Sequence, residues 1–227
     1  MNGLIHSSLY FGMLVSVGAY MLGVWLKKKT GWAILNPLLV AIIVVIAFLS
    51  VFHIEYKEYN RGAVYLGYFL TPATVCLAIP LYKQLELLRQ HLIAVASAIV
   101  AGVAGSVGSI YVMCRFFQLE HTHYVTLLPK SITTAIGMGV SEEAGGIVTL
   151  TVISIIITGI LGNIIADWLF QIFKIEEPIA KGLALGTAAH AIGTAKALEL
   201  GEIEGAMSSL SIAVAGLLTV VVVPLMS

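Results

Sequence analysis

Charge is what this chain has least of. Only 11% of its 227 residues are Asp, Glu, Lys or Arg, where a soluble domain carries about 25%. The net charge is zero and no basic block occurs, which excludes a nucleic-acid partner. Cysteine is also scarce. Cys76 and Cys114 are the two present, and they lie in or at the end of apolar segments without metal-ligand spacing, so they read as free buried thiols. No charged stretch precedes the first apolar run, and Lys27, Lys28 and Lys29 follow it. That order favours a retained first helix over a cleaved signal peptide. No nucleophile–base–orienter set, phosphate loop or metal cluster is legible, so neither an enzyme nor a resident cofactor or metal is expected. His6, His53, His91, His121 and His123 fall at loop or interface positions.

What is abundant is apolar sequence. Hydrophobic residues make up 59% of the chain and the mean hydropathy is +1.00. Several runs approach the ~20 residues that span a ~30 Å hydrocarbon core. The expected architecture is all-α, a polytopic integral membrane protein forming one domain over residues 1–227. It has seven to eight membrane segments, some discontinuous or re-entrant. The expected spans are 7–26, 33–52, 63–82, 92–114, 147–173 and 205–226, with 53–61 an interfacial loop. In 7–26, Gly12, Ser16, Ala19 and Gly23 share one helix face. Ala98, Gly102, Gly105 and Ser109 do so in 92–114. Such stripes admit a second helix at close range, within the chain or in a homodimer. Pro72 and Pro80 predict a kink or break in 63–82.

Two polar segments interrupt this pattern. Residues 127–146 carry a proline, a lysine, four hydroxyl side chains, two glutamates and four glycines. Residues 182–200 are rich in glycine and contain His190. Unpaired peptide groups in hydrocarbon cost several kcal/mol each, so irregular backbone at membrane depth survives only inside protein or beside a cavity. Transporters and channels hold solutes at such places. Lys130 is costly there unless paired or hydrated, so it reads as the group for a carboxylate substrate; snorkelling, or pairing with Glu142 or Glu143, is the structural alternative. Ser131, Thr133, Thr134 and Thr194 offer hydroxyls to a small polar solute, or bond back to helix carbonyls. Asn36, at the mouth of the second span, completes the substrate-binding candidates. His190, Glu142 and Glu143 are the candidates for proton coupling, although either glutamate also suits a helix N-terminus. Helix breaks are expected at Pro72, Pro129, Gly137 and Gly193. Asn163 and Asp167 share a helix face, and Asp167 reads as a packing or interface residue. Glu199, Glu202 and Glu204 read as a solvated loop.

Charge placement puts Lys27–Lys29, Lys83, Arg89, Lys174 and Lys181 on the cytoplasmic side if 124–146 enters and leaves from outside. Pro72-Ala-Thr-Val-Cys-Leu-Ala-Ile79 is similar to Pro129-Lys-Ser-Ile-Thr-Thr-Ala-Ile136, and Thr134-Ala-Ile-Gly137 to His190-Ala-Ile-Gly193. Inverted repeats of a broken element plus a span build secondary transporters; chance similarity among small residues is the other reading.

Several blocks taken in order carry a family resemblance: Asn36-Pro-Leu-Leu-Val-Ala41, Ile79-Pro-Leu-Tyr-Lys-Gln84, Leu128-Pro-Lys-Ser-Ile-Thr-Thr134, Lys181-Gly-Leu-Ala-Leu-Gly-Thr187, His190-Ala-Ile-Gly-Thr-Ala195 and Glu204-Gly-Ala-Met-Ser-Ser209. The chain resembles the LrgB/CidB family of bacterial membrane proteins over essentially its whole length. Lys130-Ser-Ile is closer to the CidB-type branch than to the LrgB-type branch, which carries Gln-Ala-Ala there. The resemblance implies a multi-pass protein of the bacterial cytoplasmic membrane that acts with a small LrgA/CidA-like membrane protein. It also implies one of two roles. One is antiholin-like regulation of murein hydrolase activity and autolysis. The other is transport of a small monocarboxylate of the pyruvate, lactate or glycolate type, since the plastidal glycolate/glycerate translocator looks like a fusion of both halves. Lysine, histidine and hydroxyls on broken segments suit the second role better.

Overall fold

The computed structural model describes residues 10–32 and 34–226, without the side chains of residues 70, 71 and 74. His6 and the start of the first expected span (residues 7–9) lie outside the described residues. All regular structure among the described residues is helical, and the chain divides into two compact units, 1–76 and 77–227.

The first unit holds α1 (Phe11–Thr30), α2 (Pro37–Val51), α3 (Tyr56–Gly67) and α4 (Leu70–Cys76). α1 ends in Lys27, Lys28 and Lys29 and is closed by Gly31 at φ 69°, the left-handed C-terminal cap that glycine supplies without a Cβ penalty. α2 begins with Pro37 behind Asn36, whose Oδ1 accepts from the Leu38 and Leu39 amides at 2.9 and 3.3 Å. The small stripe of α1 is used within this unit. A Cβ at Gly12 would collide with the Tyr59 carbonyl of α3, and one at Gly23 with Pro37 of α2 at 2.7 Å. Ser16 pairs with the Tyr59 hydroxyl at 2.7 Å. That packing explains one difference from the sequence reading. The expected loop at 53–61 is helical from Tyr56 onward, where Tyr59 packs its backbone on Gly12 and its hydroxyl on Ser16 of α1. The expected span 63–82 is divided among α3, α4 and α5 (Ala78–Lys83).

The second unit continues with α6 (Leu85–Gln90), α7 (Leu92–Phe116), α8 (His121–Leu127), a 3-10 turn (Leu128–Ser131), α9 (Thr134–Glu143), α10 (Val148–Ile172), α11 (Pro178–Leu200) and α12 (Glu202–Met226). α7, α10 and α12, each of 25 residues, are long and apolar enough to cross a membrane; at 1.5 Å per residue each is about 37 Å long. α2 is apolar but shorter.

Two chain reversals organise this unit. The first runs from α8 through the 3-10 turn to extended Ile132 and Thr133 and back along α9. Its ends meet: the Ile147 amide donates to Thr126 Oγ1 at 2.8 Å, and Thr151 Oγ1 donates to the Thr126 carbonyl at 2.9 Å. Ser141 and Thr151 pair at 2.6 Å. The second reversal lies inside α11, where His190 leaves helical geometry at φ 42° and ψ −135°. A Cβ at Gly193 would collide with Leu185 and Ala189, residues that an unbroken helix would hold a full turn or more away, so the arm after His190 folds back on the arm before it. α12 confirms the register. Gly182 and Gly186 of the first arm pack on Glu204 and Ser208, while Thr194 of the second arm pairs with Ser208 at 2.7 Å and Leu198 packs on Gly205. The two hairpins rest at opposite ends of α10, the first at Ile147 and the second where Lys181 lies over the Phe170 ring at 6.0 Å.

Gly186 admits no side chain without moving the Ser208 backbone. Gly186→Val is expected to lower the melting temperature in detergent, overpacking costing about 1–3 kcal/mol. A Thr194→Cys/Ser208→Cys pair is expected to crosslink under mild oxidant. Its failure to do so would contradict the fold-back at His190.

Candidate functional site

The tip of the first hairpin lies against the middle of α7. Ser106 Oγ donates to Ser131 Oγ at 2.9 Å, and Lys130 Nζ donates to Ser131 Oγ at 3.0 Å and to Ser106 Oγ at 3.4 Å. Among the described residues no carboxylate pairs with Lys130. Glu142 and Glu143 are exposed in the last turn of α9, at the base of the hairpin rather than its tip. The described ion pairs lie elsewhere: Lys83 with Glu202 at 3.5 Å and Lys196 with Asp167 at 2.7 Å. Glu202 and Glu204 thus open α12 instead of forming a loop.

The donors in this cluster outnumber its acceptors. Lys130 brings three N–H groups and the two serines one O–H each. The three bonds above use two ammonium protons and the Ser106 proton. One ammonium proton and the Ser131 proton have no acceptor among the described residues. Their parent atoms sit 3.0 Å apart.

These donors border a cavity of about 500 Å³ between α7, the first hairpin and the first arm of α11, within the ~300–1,000 Å³ of small-molecule sites. The second small stripe makes this space: Ala98, Gly102, Gly105 and Ser109 all line it, opposite Ala184, Thr187 and Ala188. Of its two glycines, Gly102 approaches the facing arm, with Thr187 Oγ1 2.9 Å from where its Cβ would be, and a Cβ at Gly105 would meet nothing within 4 Å.

His190 stands at the tip of the second hairpin, 3% exposed. Its Nε2 lies 2.9 Å from the Ile155 carbonyl. A carbonyl only accepts, so Nε2 is the protonated nitrogen. Gly159 leaves room for the ring; a Cβ there would meet it at 2.7 Å. Asn163 Nδ2 donates to the Ile192 carbonyl at 3.2 Å and Asp167 holds Lys196, so the polar face of α10 clasps the second arm.

The remaining sequence candidates fall as follows. Thr133 and Thr134 are half-buried at the first tip, and their hydroxyls make no hydrogen bond among the described residues. Thr194 is buried and bonds to the His190 carbonyl and Ser208. Asn36 belongs to the first unit as the cap of α2. Pro129 sits in the 3-10 turn with non-helical φ −84° and ψ 16°. Gly137 lies within α9, against Ile155. Gly193 follows the break, which falls at His190. Pro72 lies in α4. Sequence reasoning did not single out Ser106, and Thr187 stood in it as the last residue of a family motif. Ser106 directly follows Gly105 of the α7 stripe, the one signal that pointed to it.

The sequence model of the LrgB-like family matches residues 16–227. The chain is 41% identical over 217 residues to the antiholin-like protein LrgB of Bacillus mycoides (strain KBAB4), covering 95% of this chain and 94% of that one. It is 39% identical over 216 residues to the antiholin-like protein LrgB of Bacillus subtilis (strain 168) and 40% identical over 217 residues to that of Bacillus cereus (strain B4264), each with the same coverage. These relatives carry the LrgB name, whereas the Lys130-Ser-Ile run suggested the CidB-type branch. No solved structure matches the chain.

A non-glycine residue at positive φ stores about 1–3 kcal/mol, and His190 offsets that with its ring bond to Ile155. His190→Gly relieves the backbone and His190→Ala does not. The glycine variant is expected to melt above the alanine variant; the reverse order would contradict the geometry at this tip.

Proposed function

Because the chain belongs to the LrgB-like family and carries a donor-rich cluster beside a cavity, we propose that it is the transport component for a small monocarboxylate of the pyruvate, lactate or glycolate type. It acts in the bacterial cytoplasmic membrane with a small LrgA/CidA-like partner. The observation that carries this reading is the pair of unclaimed donors, Lys130 Nζ and Ser131 Oγ, 3.0 Å apart with no carboxylate of the protein beside them among the described residues. A half-buried cation at membrane depth without a counter-ion is expensive, and an anionic solute supplies the missing charge. An acid with oxygens on adjacent carbons matches two adjacent donors. α9 and the second arm of α11 begin at the two tips, and helix N-termini favour anions. Thr133 and Thr134 at the first tip remain candidates for a second contact.

The hairpins supply the membrane topology of this proposal. Each has its two ends at one end of α10, which supports a topology in which the first enters and leaves from outside and the second from the cytoplasm, with tips at mid-depth. α7, α10 and α12 cross, and α1, α2 and the α4–α5 region bring the count to the seven or eight expected segments. Lys83, Arg89, Lys174 and Lys181 then lie inside, in keeping with the positive-inside rule, and the Lys83–Glu202 pair joins two groups of that side. Each hairpin with its following span forms one half of an inverted repeat. Alternating access is movement of one hairpin against the other around Lys130. The homodimer suggested by the small-residue stripes loses that support, since one stripe packs on α2 and α3 and the other lines the cavity.

A second reading follows from the relatives' name: antiholin-like regulation of murein hydrolase activity without solute carriage. Uptake of labelled acid into proteoliposomes, with and without the small partner and with a dye-leakage control, separates the two. Saturable uptake without leakage is expected; none from folded protein in either preparation would leave the regulator reading. Lys130→Ala removes a charged hydrogen-bond donor worth about 1.5–3 kcal/mol, and its uptake is expected to fall at least tenfold with membrane assembly intact. Wild-type uptake would sink the assignment. His190→Ala is expected to alter the pH profile of uptake, and an unchanged profile would remove His190 from proton coupling. Single cysteines at Phe117 and Glu143 are expected to label from outside, and at Lys181 and Gly201 from inside; labelling of either pair from both sides would break the re-entrant topology.

A further inference from the structure

A second cavity, of about 310 Å³, lies where α7 and α12 end and α8 begins. Tyr111 and Arg115 line it from the last turns of α7, His121 and Tyr124 line it from α8, and Leu119 and Met226 add apolar wall. It shares no lining residue with the main cavity. Arg115 stands about two and a half helical turns beyond Ser106 along α7. In the topology proposed above, this end of the bundle faces outside.

Arg115 is a charge that the chain leaves unanswered. Among the described residues no carboxylate pairs with it. Its neighbour is Tyr111, one turn earlier, whose ring centroid is 5.8 Å from the guanidinium carbon. A phenol leaves most of the five guanidinium N–H donors unused. Glu120 precedes His121 in the chain, but it is exposed and does not line the cavity. The positive-inside rule accounts for Lys83, Arg89, Lys174 and Lys181 at the opposite end; it gives no reason for an arginine here.

The first turn of α8 adds a second observation. It holds both buried side-chain polar atoms that have no partner among the described residues, His123 Nδ1 and Tyr124 Oη. Tyr124 is 8% exposed. Its ring centroid is 6.1 Å from that of Tyr111 and 6.2 Å from that of His121, so it packs with two other polar residues of the cavity wall. A buried hydroxyl without a partner is a net cost to the fold, and an acceptor brought by a ligand removes that cost.

We propose that this cavity binds a phosphate group, with Arg115 as its charge partner and Tyr111, His121 and Tyr124 as further donors. A guanidinium fork takes two phosphate oxygens side by side. The other oxygens of a tetrahedral anion then meet donors on the remaining walls, whereas a carboxylate has only the two. The phosphate of a lipid headgroup and that of a soluble ester share this chemistry. The rim favours the lipid: Phe116 and Leu225, chain neighbours of Arg115 and Met226, are each 79% exposed and offer apolar surface to acyl chains. The inference stands apart from the carrier reading and needs no solute at Lys130.

The test is titration calorimetry of the purified full chain in a phosphate-free detergent. The probes are short-chain phosphatidylglycerol, glycerol phosphate, inorganic phosphate and a short-chain diacylglycerol that lacks phosphate. The wild type is expected to bind phosphatidylglycerol saturably and the diacylglycerol about tenfold more weakly, as loss of a charged hydrogen bond allows. Arg115→Gln is expected to weaken phosphatidylglycerol binding about tenfold, and Tyr124→Phe about fivefold. Tyr124→Phe is also expected to melt no lower than the wild type; a merely structural hydroxyl would lower the melting temperature and leave affinity unchanged. Binding of glycerol phosphate or inorganic phosphate as tight as that of the lipid would uphold the phosphate site and assign it to a soluble ligand. Equal binding of diacylglycerol and phosphatidylglycerol would overturn the inference. So would wild-type affinity in Arg115→Gln, or no saturable binding of any phosphate probe by the folded protein. Should Arg115→Gln fail to assemble, unchanged affinity in Tyr124→Phe would overturn it instead.

Discussion

A helix that stops inside an apolar body leaves peptide groups that apolar surroundings cannot satisfy, and the second unit is organised around two such stops. It stops the backbone twice, at Ile132–Thr133 and at His190, and surrounds both stops with protein. Hydroxyls and carbonyls of neighbouring elements take up part of the demand: Thr126 and Thr151 tie the base of the first hairpin to α10, and the Ile155 carbonyl holds the His190 ring. What is left over at the first tip is an excess of hydrogen-bond donors. That excess, beside a space made by small residues on α7, is the basis of the functional reading.

Glycines set the distances. Gly182 and Gly186 let the first arm of α11 lie on α12, Gly193 lets the arms lie on each other, and Gly159 makes room for His190. Gly102 and Gly105 differ. A Cβ on the first would crowd Thr187, and one on the second would meet nothing within 4 Å; both line the cavity. A stripe of small residues thus does different work in α1, where it brings helices together, and in α7, where it meets the facing arm at Gly102 and leaves a cavity beside it.

Much of this was legible in the sequence. The all-helical class, the long apolar spans at α7, α10 and α12 and the two polar interruptions follow from composition and run length alone. The membership of the LrgB-like family was carried by motifs that stand in order along the chain. The similarity of Thr134-Ala-Ile-Gly137 to His190-Ala-Ile-Gly193 marked the two places where the chain turns. Less was legible about the turns themselves. Gly193 is the local breaker by propensity, yet the reversal falls on His190, because tertiary contacts with Ile155 and Gly159 decide the position and no local rule encodes them. Ser106 and Thr187 escaped for a related reason. A lone hydroxyl in an apolar helix ordinarily bonds back to its own turn, and only the folded chain reveals that one faces a lysine and the other lines the cavity beside it. The loop expected at 53–61 failed because its polar residues belong to one face of an amphipathic helix.

Lys130 and Ser131 are proposed to hold an anionic solute in the cavity between the first hairpin tip, α7 and the first arm of α11. Equilibrium binding of labelled lactate to the purified protein in detergent, for the wild type and for Lys130→Ala of matched melting temperature, tests it without requiring a partner or a complete transport cycle. The account expects one saturable class of sites, displaced by unlabelled glycolate and lost in Lys130→Ala. Equal binding by both proteins, or none by the folded wild type, would contradict it.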